Sequence, residues 1–466
     1  MSTGLERQPN PWLASLFSAV IPGAGHIYAG ERERGRRLII IDLVMVASLI
    51  IGVLFFKTEM VKVWASLSSL SLLMVANILL LSYRGWAAYD AYNVAADRTS
   101  GSAPVWAFAV TALVWLVVLV PHAVLGYYNL VQYSLIDTVF ADTPDPVAAA
   151  PDPPPDEVSA SGSVTTTTVP GPVLWDGLER LNVLLLGADS GAGRKGIRTD
   201  TMMVLSIDPE TGNAVIVSIP RNYSEMPLPE GIGPWECNCF PRLVNDLWFE
   251  AEQHPDDFPG PGEPGPTAMK AAFGELLGLD IHYYALVTLD GFIGLVDALG
   301  GVTIEVPNVI IDEEYPHEDG VTIEHVVIEE GTQTLDGHLA LAYARIRRHA
   351  NDYARMNRQR CVIGAVLEQS SPVEILSSYG ALAEVIKDSL LTDIPQESLV
   401  DLVDLLPKVG MDKIGVIAVN RDYQTGVATG RNFYDAERIK AETQALIVDP
   451  SLAAGGDAFS LDGLCS

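Results

Sequence analysis

The sequence predicts an α/β protein in which a three-layer α-β-α domain with a central mixed sheet follows a group of transmembrane helices. Two observations lead to this prediction. The first 140 residues contain long apolar runs, and the later part alternates continuous apolar strands with amphipathic helices. A continuous apolar strand is buried on both faces, and it therefore requires helices on both sides of its sheet. With 466 residues, the chain is long enough for more than one such unit.

The distribution of charge separates the same two parts of the chain. The formal net charge is −30, yet residues 1–140 contain nine Lys or Arg and eight Asp or Glu. Almost all of the negative charge therefore lies in residues 141–466. Because attraction to a nucleic-acid backbone needs a broad basic surface, this composition excludes a general nucleic-acid-binding protein.

Residues 1–140 are predicted to form a membrane module with about three transmembrane helices. Each apolar run is close to the ~20 residues that cross the hydrocarbon core, and the runs cover residues 38–56, 63–83 and 104–126. Basic residues before the first run place that end in the cytoplasm, so three spans leave the rest of the chain outside. The apolar segment 11–30 is interrupted by Pro22 and Gly23. It is compatible with a fourth span, a re-entrant hairpin or an interfacial helix.

Residues 141–172 are predicted to form an extracellular linker. They are rich in Pro, Thr and acidic residues, and they cannot bury enough apolar surface to fold. The prolines favour an extended, semi-rigid spacer. We therefore expect a globular domain at residues 173–450, followed by a carboxyl-terminal tail at residues 451–466.

The globular domain opens with charged residues at the ends of apolar strands. Leu181–Ala188 is a continuous apolar run, and it leads into Asp189 and a glycine-rich loop. The next two strands are predicted at residues 202–207 and 214–219. Asp189, Arg198, Asp200 and Arg221 therefore lie where α/β sheets commonly bind ligands. Asp189 and Asp200 are candidate Mg²⁺ ligands, because this ion prefers hard carboxylate oxygens.

The segment Leu341–Arg360 concentrates basic charge in an otherwise acidic domain. Its arginines are Arg345, Arg347, Arg348, Arg355, Arg358 and Arg360. A guanidinium group is always charged and can bind two phosphate or carboxylate oxygens at once. The alternative is a solvated helix face with surface ion pairs. A helix predicted over residues 352–369 places Arg355, Arg358 and Gln359 on one face, which favours a shared anionic ligand.

Four cysteines provide a prediction about compartment. A domain outside the membrane lies in an oxidising environment, and Cys237, Cys239, Cys361 and Cys465 allow three pairings. We expect Cys361 to bond Cys237 or Cys239 and Cys465 to bond the other, because two cysteines separated by one residue are too close for an easy bond. A metal site formed by these cysteines is the weaker alternative, since no histidine lies at suitable spacing beside them.

Taken together, the motifs of the globular domain resemble the LytR–CpsA–Psr family of cell-wall glycopolymer ligases over roughly residues 180–420. The matching segments, in the order of the family, are LNVLLLGAD, RTDTMMV, SIPRN, NDL, GFIGLVDALGGV, GTQTLDGHLALAYARIR and DYARMNRQ. There are two departures near the first strands. The family commonly has Arg where this chain has Gly191, and it has Asp where this chain has Asn222.

The resemblance implies a membrane-anchored, Mg²⁺-dependent phosphotransferase whose catalytic domain lies on the extracytoplasmic side. Such enzymes take a glycopolymer from a polyprenyl-pyrophosphate carrier and join it through a phosphodiester to peptidoglycan. The positions that match the family's Mg²⁺ ligands are Asp189 and Asp200. The positions that match its pyrophosphate contacts are Arg198, Arg221, Arg345, Arg347, Arg355 and Gln359. We expect the two aspartates, with Arg345 and Arg347, to be the catalytic residues.

Two other functions compete with this interpretation. The first is a polyprenyl-pyrophosphate phosphatase, in which water replaces the sugar acceptor. The second is a non-enzymatic regulatory protein of the envelope. The cytoplasmic segments of the predicted topology are short and carry no DNA-binding motif, which disfavours the second alternative.

Overall fold

The structure is a computed structural model, and it describes residues 8–99, 106–140, 178–189, 196–317, 322–346, 352–369, 372–405, 408–409, 414–428 and 431–449. The chain divides into two compact units. The N-terminal unit is Met1–Ile136 and the C-terminal unit is Asp137–Ser466.

The N-terminal unit is helical. Its helices are α1 (Pro11–Val20), α2 (Ala24–Tyr28), α3 (Arg32–Phe55), α4 (Lys57–Ala65), α5 (Leu67–Ala96) and α6 (Ala107–Val139). Among the described residues, two helices, α5 and α6, are long and apolar enough to cross a membrane. Helix α3 contains most of the first apolar run and exposes large apolar side chains, including Leu43, Leu49 and Leu54. Contiguous exposed apolar surface of this kind is typical of contact with lipid or with another protein.

Two apolar segments of the N-terminal unit are not single uninterrupted helices. Residues 11–30 form α1 and α2, separated by a turn in which Gly23 has φ 99°. Helix α1 has ten residues and is about 15 Å long, half of the ~30 Å hydrocarbon core. The segment therefore does not form a full span. The second apolar run, residues 63–83, is interrupted at Ser66, which has extended backbone, so the helix there that is long and apolar enough to cross a membrane is α5.

The C-terminal unit combines strands and helices. Its strands are β1 (Leu181–Asp189), β2 (Arg198–Ile207), β3 (Ala214–Ser218), β4 (Ser224–Pro227), β5 (Cys239–Leu243), β6 (Tyr283–Thr288), β7 (Val302–Val306), β8 (Ile310–Pro316), β9 (Ile323–Ile328), β10 (Gly331–Leu335), β11 (Leu390–Thr392), β12 (Ile414–Ala418), β13 (Gln424–Ala428) and β14 (Arg431–Tyr434). Its helices are α7 (Leu247–Gln253), α8 (Pro264–Leu277), α9 (Leu289–Ala298), α10 (Gly337–Arg345), α11 (Asp352–Gln369), α12 (Pro372–Ser389), α13 (Leu399–Leu405) and α14 (Ala436–Val448).

Six of these strands form the central sheet, in the order β11-β6-β1-β2-β3-β12. Strand β1 pairs antiparallel with β2 and parallel with β6, while β3 pairs antiparallel with β2 and parallel with β12. The sheet is therefore mixed, as predicted. Other described strands form two-stranded sheets, including the hairpin formed by β8 and β9.

The central sheet is covered on both faces, which confirms the α/β fold predicted from its apolar strands. On one face, Leu184 and Leu186 of β1 pack with side chains of α8, such as Phe273. On the other face, Val183 packs with Leu405 of α13. Because neighbouring residues of a strand point to opposite faces, a continuous apolar run satisfies both layers at once.

A second apolar core lies under the arginine-rich segment. Helices α9, α10 and α11 pack there against β7, β9 and β10. Helix α11 begins at Asp352 and ends at Gln369, as predicted from the sequence. This core fixes the direction in which α10 and α11 present their arginines.

Candidate active site

The first part of the candidate site is the edge where β1 ends and β2 begins. Asp189, the last residue of β1, pairs through its backbone with Arg198, the first residue of β2. Asp200 follows two residues later on the same strand. The three residues that sequence analysis selected here are therefore neighbours where β1 ends and β2 begins. The side chain of Asp189 and residues 190–195 lie outside the described part of the chain.

Asp200 is contacted by two side chains from other elements. Arg221, in the segment after β3, donates from Nη1 to Oδ2 of Asp200 at 2.5 Å. Asn245 donates from Nδ2 to Oδ1 of Asp200 at 3.5 Å. The side chains of Arg221 and Asp200 are only 19% and 17% exposed, so their charges interact with little screening by water.

A second ion pair lies beside Asp200. Arg198 places Nε 3.1 Å from Oδ1 of Asp246. Its side chain is 58% exposed, however, so the pair contributes little to stability and Arg198 is accessible to a ligand. Asn245 and Asp246 belong to a 3₁₀ turn, Val244–Asp246, that contacts β2. Sequence analysis did not select these two side chains as site residues, although the NDL segment was among the motifs.

The second part of the site comes from α11, far away in the sequence. A small cleft is lined by Asp200, Thr201, Met202, Met203, Ser218, Ile219, Arg355 and Gln359. Arg355 and Gln359, which share one face of α11, therefore meet Asp200 in one place. Arg355 is only 2% exposed. A guanidinium group buried to this degree must interact with polar or anionic groups.

Ser218, the last residue of β3, also lines the cleft. Its side chain is 4% exposed, and its hydroxyl has no hydrogen-bond partner within the described part of the chain. A buried hydroxyl without a partner loses free energy, about 1–3 kcal/mol, unless a ligand satisfies it. Sequence analysis missed Ser218, although it is the first residue of the SIPRN motif.

The remaining predicted arginines lie near the end of α10. Arg345, its last residue, donates from Nη1 to the hydroxyl of Tyr315 at 3.4 Å and lies over the ring of Tyr315, 5.9 Å from its centroid. Residues 347–351, and with them Arg347, lie outside the described part of the chain.

Arg358, on the same helix as Arg355, has a different set of contacts. It donates from Nε to the main-chain oxygen of Tyr343 at 2.6 Å and from Nη2 to that of Ile346. Burial lowers the pKa of Arg358 below its ordinary value, while Tyr343 acts in the opposite direction. Arg358 therefore fastens α11 to the carboxyl end of α10, where a cation also compensates the helix dipole.

The donor set around Asp200 fits a hard divalent cation. Asp200 supplies a carboxylate, and the neighbouring Asn245 has a buried Oδ1 that accepts no hydrogen bond from any described residue. Carboxylate and amide oxygens are suitable ligands for Mg²⁺. The backbone of Asp189 lies on the adjacent strand. Asp189 and Asp200, with Asn245 nearby, are therefore the residues that would hold such an ion.

The disulfide prediction was wrong. Cys237 and Cys239 are bonded to each other, with their Cα atoms 5.1 Å apart. This separation lies within the ordinary range for a disulfide. It is reached because Asn238, between them, has φ 48°, a left-handed conformation that asparagine tolerates better than most residues. Cys361 is also disulfide-bonded, and Cys465 lies outside the described residues.

Comparison with known proteins places these features in context. The model of the LytR_cpsA_psr family matches residues 157–447. The chain is 30% identical over 234 residues to a polyisoprenyl-teichoic acid–peptidoglycan teichoic acid transferase TagU of Oceanobacillus iheyensis, with 49% of this chain and 64% of that protein covered. It is 27% identical over 223 residues to the TagU of Halalkalibacterium halodurans, with 47% and 63% covered.

The chain thus spans slightly less than two thirds of the length of these relatives. Among solved structures, the crystal structure of B. subtilis TagV aligns with a TM-score of 0.43 and 19% sequence identity, covering 58% of this chain and 98% of that chain.

Proposed function

Because this chain belongs to the LytR_cpsA_psr family, we propose that it is a phosphotransferase that moves a glycopolymer from a polyprenyl-pyrophosphate carrier onto peptidoglycan. The TagU relatives are named for the same class of reaction, with teichoic acid as the polymer. The observation that carries the proposal is the cleft in which Asp200 meets Arg355 and Gln359. A carboxylate beside two kinds of phosphate-binding side chain is suited to a diphosphate with a bound cation.

The substrate would be held by charge and by shape. Arg355 and Gln359 would bind pyrophosphate oxygens inside the cleft, while Arg198, Arg221, Arg345 and Arg347 would bind other oxygens of the same pyrophosphate. Arg221 is paired with Asp200 in the described structure, and one of its N–H groups can instead donate a hydrogen bond to an incoming phosphate. Asp189 and Asp200 would hold Mg²⁺. When bound, this ion supplies positive charge that neutralises the diphosphate oxygens.

The reaction exchanges one phosphorus–oxygen bond for another. An acceptor hydroxyl of peptidoglycan would attack the sugar-linked phosphorus, and the bond from that phosphorus to the oxygen of polyprenyl phosphate would break. Polyprenyl phosphate leaves, and the proton of the acceptor passes to a carboxylate of the site or to solvent. The protein's contribution is to position the two reactants and to stabilise charge on the phosphoryl oxygens.

We also propose that the N-terminal unit anchors the protein in the membrane as a multi-pass module and that the C-terminal unit lies outside. The apolar helices α5 and α6 support the anchor. The disulfides at Cys237–Cys239 and at Cys361 support an oxidising, extracytoplasmic location. In this arrangement the predicted linker of residues 141–172 separates the catalytic unit, at about residues 173–450, from the bilayer.

The function can be tested by reconstitution of the full-length protein in detergent with Mg²⁺, a lipid-linked pyrophosphate sugar and peptidoglycan. We expect the sugar to become bound to the wall fraction and the transfer to stop when EDTA removes Mg²⁺. Release of soluble sugar phosphate with peptidoglycan present would instead show a phosphatase. No consumption of the lipid would favour a non-enzymatic regulatory protein.

A further inference from the structure

A second group of ligand-forming side chains lies outside the proposed active site. His317 directly follows β8, Glu324 is in β9, and His338 is in the first turn of α10. Their potential ligand atoms all lie within 4.8 Å of one another. Nε2 of His338 is 2.6 Å from Oε1 of Glu324. The ring of His317 stacks on that of His338, with centroids 5.2 Å apart and planes at 27°.

The three side chains are held in place by the backbone around them. His317 N donates to Thr322 O at 2.9 Å, which closes the end of the β8–β9 hairpin beside Glu324. The start of α10 is fixed because Oδ1 of Asp336 accepts a hydrogen bond from Leu339 N at 2.8 Å. The potential ligands therefore come from three separate elements with fixed ends. Such preorganisation is what a metal site requires.

The degree of burial is also suitable for a metal ion. The side chains of His338 and Glu324 are 27% and 30% exposed, so an ion can enter from solvent while most of each side chain stays packed. A simple ion pair would need only one imidazole beside Glu324. Here two imidazoles and one carboxylate place their potential ligand atoms within 4.8 Å of one another, which is a set of three ligands rather than a pair.

We propose that His317, Glu324 and His338 bind a divalent transition-metal ion, with Zn²⁺ the best match. Two imidazole nitrogens and one carboxylate oxygen are a ligand combination that Zn²⁺ accepts, with a fourth position left for water. Imidazole disfavours Mg²⁺, which prefers oxygen ligands. This site differs from the proposed Mg²⁺ site at Asp200 in both position and ligand chemistry. Its existence does not depend on the proposed transferase function.

A bound ion would join the β8–β9 hairpin to α10, the helix that ends at Arg345. Tyr315, two residues before His317, packs edge-to-face on His338 with ring centroids 5.9 Å apart. The hydroxyl of the same Tyr315 accepts the hydrogen bond from Arg345. The metal would therefore restrain the hairpin residue that positions Arg345, and it would act as a positioning element rather than as a catalytic group.

The test is a Zn²⁺ titration of the full-length protein in detergent, purified without a histidine tag and stripped with EDTA. We expect one equivalent of Zn²⁺ to bind and to raise the melting temperature. Each of His317→Ala, His338→Ala and Glu324→Gln should weaken binding by about 100-fold, because loss of a direct ligand costs at least as much as loss of a supporting group. Mg²⁺ added in excess should not displace Zn²⁺.

Two control variants separate this site from others. His325→Ala removes an exposed histidine of the same strand, whose side chain points to the opposite face from Glu324, and it should bind Zn²⁺ like the unaltered protein. Asp200→Ala should also retain binding. Absence of stoichiometric Zn²⁺ binding, or unchanged affinity in Glu324→Gln, would overturn the proposal. Glu324→Gln preserves side-chain size, and its circular dichroism verifies folding.

Discussion

At the scale of single residues, the proposed chemistry depends on how Asp200 is surrounded. Arg221 contacts one oxygen of Asp200 and Asn245 contacts the other, while Arg355 lines the same cleft. Opposite charges at this distance interact strongly where water is partly excluded. A bound diphosphate would bring several negative charges to these side chains. An arginine that leaves Asp200 would then pair with a phosphate oxygen, so that its charge stays compensated. The residue most sensitive to substitution should therefore be Asp200.

Replacing Asp200 with Asn keeps the shape of the side chain and removes its charge. We expect transferase activity to fall by about 100-fold or more, because the proposed metal ligand and the partner of Arg221 are lost together. The initial rate of sugar transfer at saturating Mg²⁺ measures this. Asp256→Asn, at an exposed carboxylate in the 3₁₀ turn Pro255–Asp257 after α7, is the matched control and should keep full activity. Equal activity of the two variants would refute the role of Asp200.

At the scale of secondary-structure elements, the two arginine-bearing helices are joined by Arg358. Its guanidinium group donates to the oxygens of Tyr343 and Ile346 and also lies 5.8 Å from the ring centroid of Tyr343. The sequence could not distinguish this arginine from the proposed ligand-binding ones, because helical spacing gives only the face of the helix on which a side chain lies and not its contacts. Arg358 supports the site by holding α10, and it is not expected to contact the substrate.

Arg358→Ala should loosen the end of α10. Loss of the two charge-assisted hydrogen bonds corresponds to about 3 kcal/mol of local stability, or about 100-fold faster amide exchange at Ile346. Hydrogen exchange followed by mass spectrometry measures this change. Arg431→Ala, on an exposed position of β14, is the control and should leave exchange at Ile346 unchanged. Unaltered exchange in Arg358→Ala would contradict the assigned role.

The loop between β4 and β5 yields a prediction about covalent structure. Since the left-handed Asn238 brings Cys237 and Cys239 together, a peptide containing both should have a mass two hydrogens lower without reduction than with it. Neither cysteine should react with iodoacetamide before reduction. Mass spectrometry after proteolysis under non-reducing conditions tests this. A bridge from Cys361 to either residue would contradict the structure.

At the scale of the whole molecule, the elements with a strong apolar pattern in the sequence were predictable. Helix α11 has the predicted bounds, because its helical periodicity determines them. Hairpin β8–β9 was missed, since β8 (IIDEEYP) is largely exposed and lacks alternation. The meeting of Asp200 with Arg355 and Gln359 followed from the family resemblance. The spacing of these residues along the sequence could not predict that they meet, because their meeting depends on packing between elements that are far apart in the chain.

The predicted topology can be checked by adding protease to intact cells. We expect cleavage within residues 141–172, because a Pro- and Thr-rich acidic segment does not fold, and release of a fragment containing the C-terminal unit. The apolar N-terminal unit should stay with the membrane. Inside-out vesicles are the control and should protect the C-terminal unit. Cleavage only in those vesicles would place the unit in the cytoplasm.

The central claim is that the cleft transfers a sugar together with its attached phosphate. The most direct measurement uses a carrier lipid labelled with ³H in the sugar and ³²P in the phosphate next to it, incubated with the full-length protein, Mg²⁺ and peptidoglycan. We predict that both labels enter the wall fraction in equal proportion while unlabelled polyprenyl phosphate is released. Wall-bound ³H without ³²P, or both labels recovered only as soluble sugar phosphate, would contradict the claim.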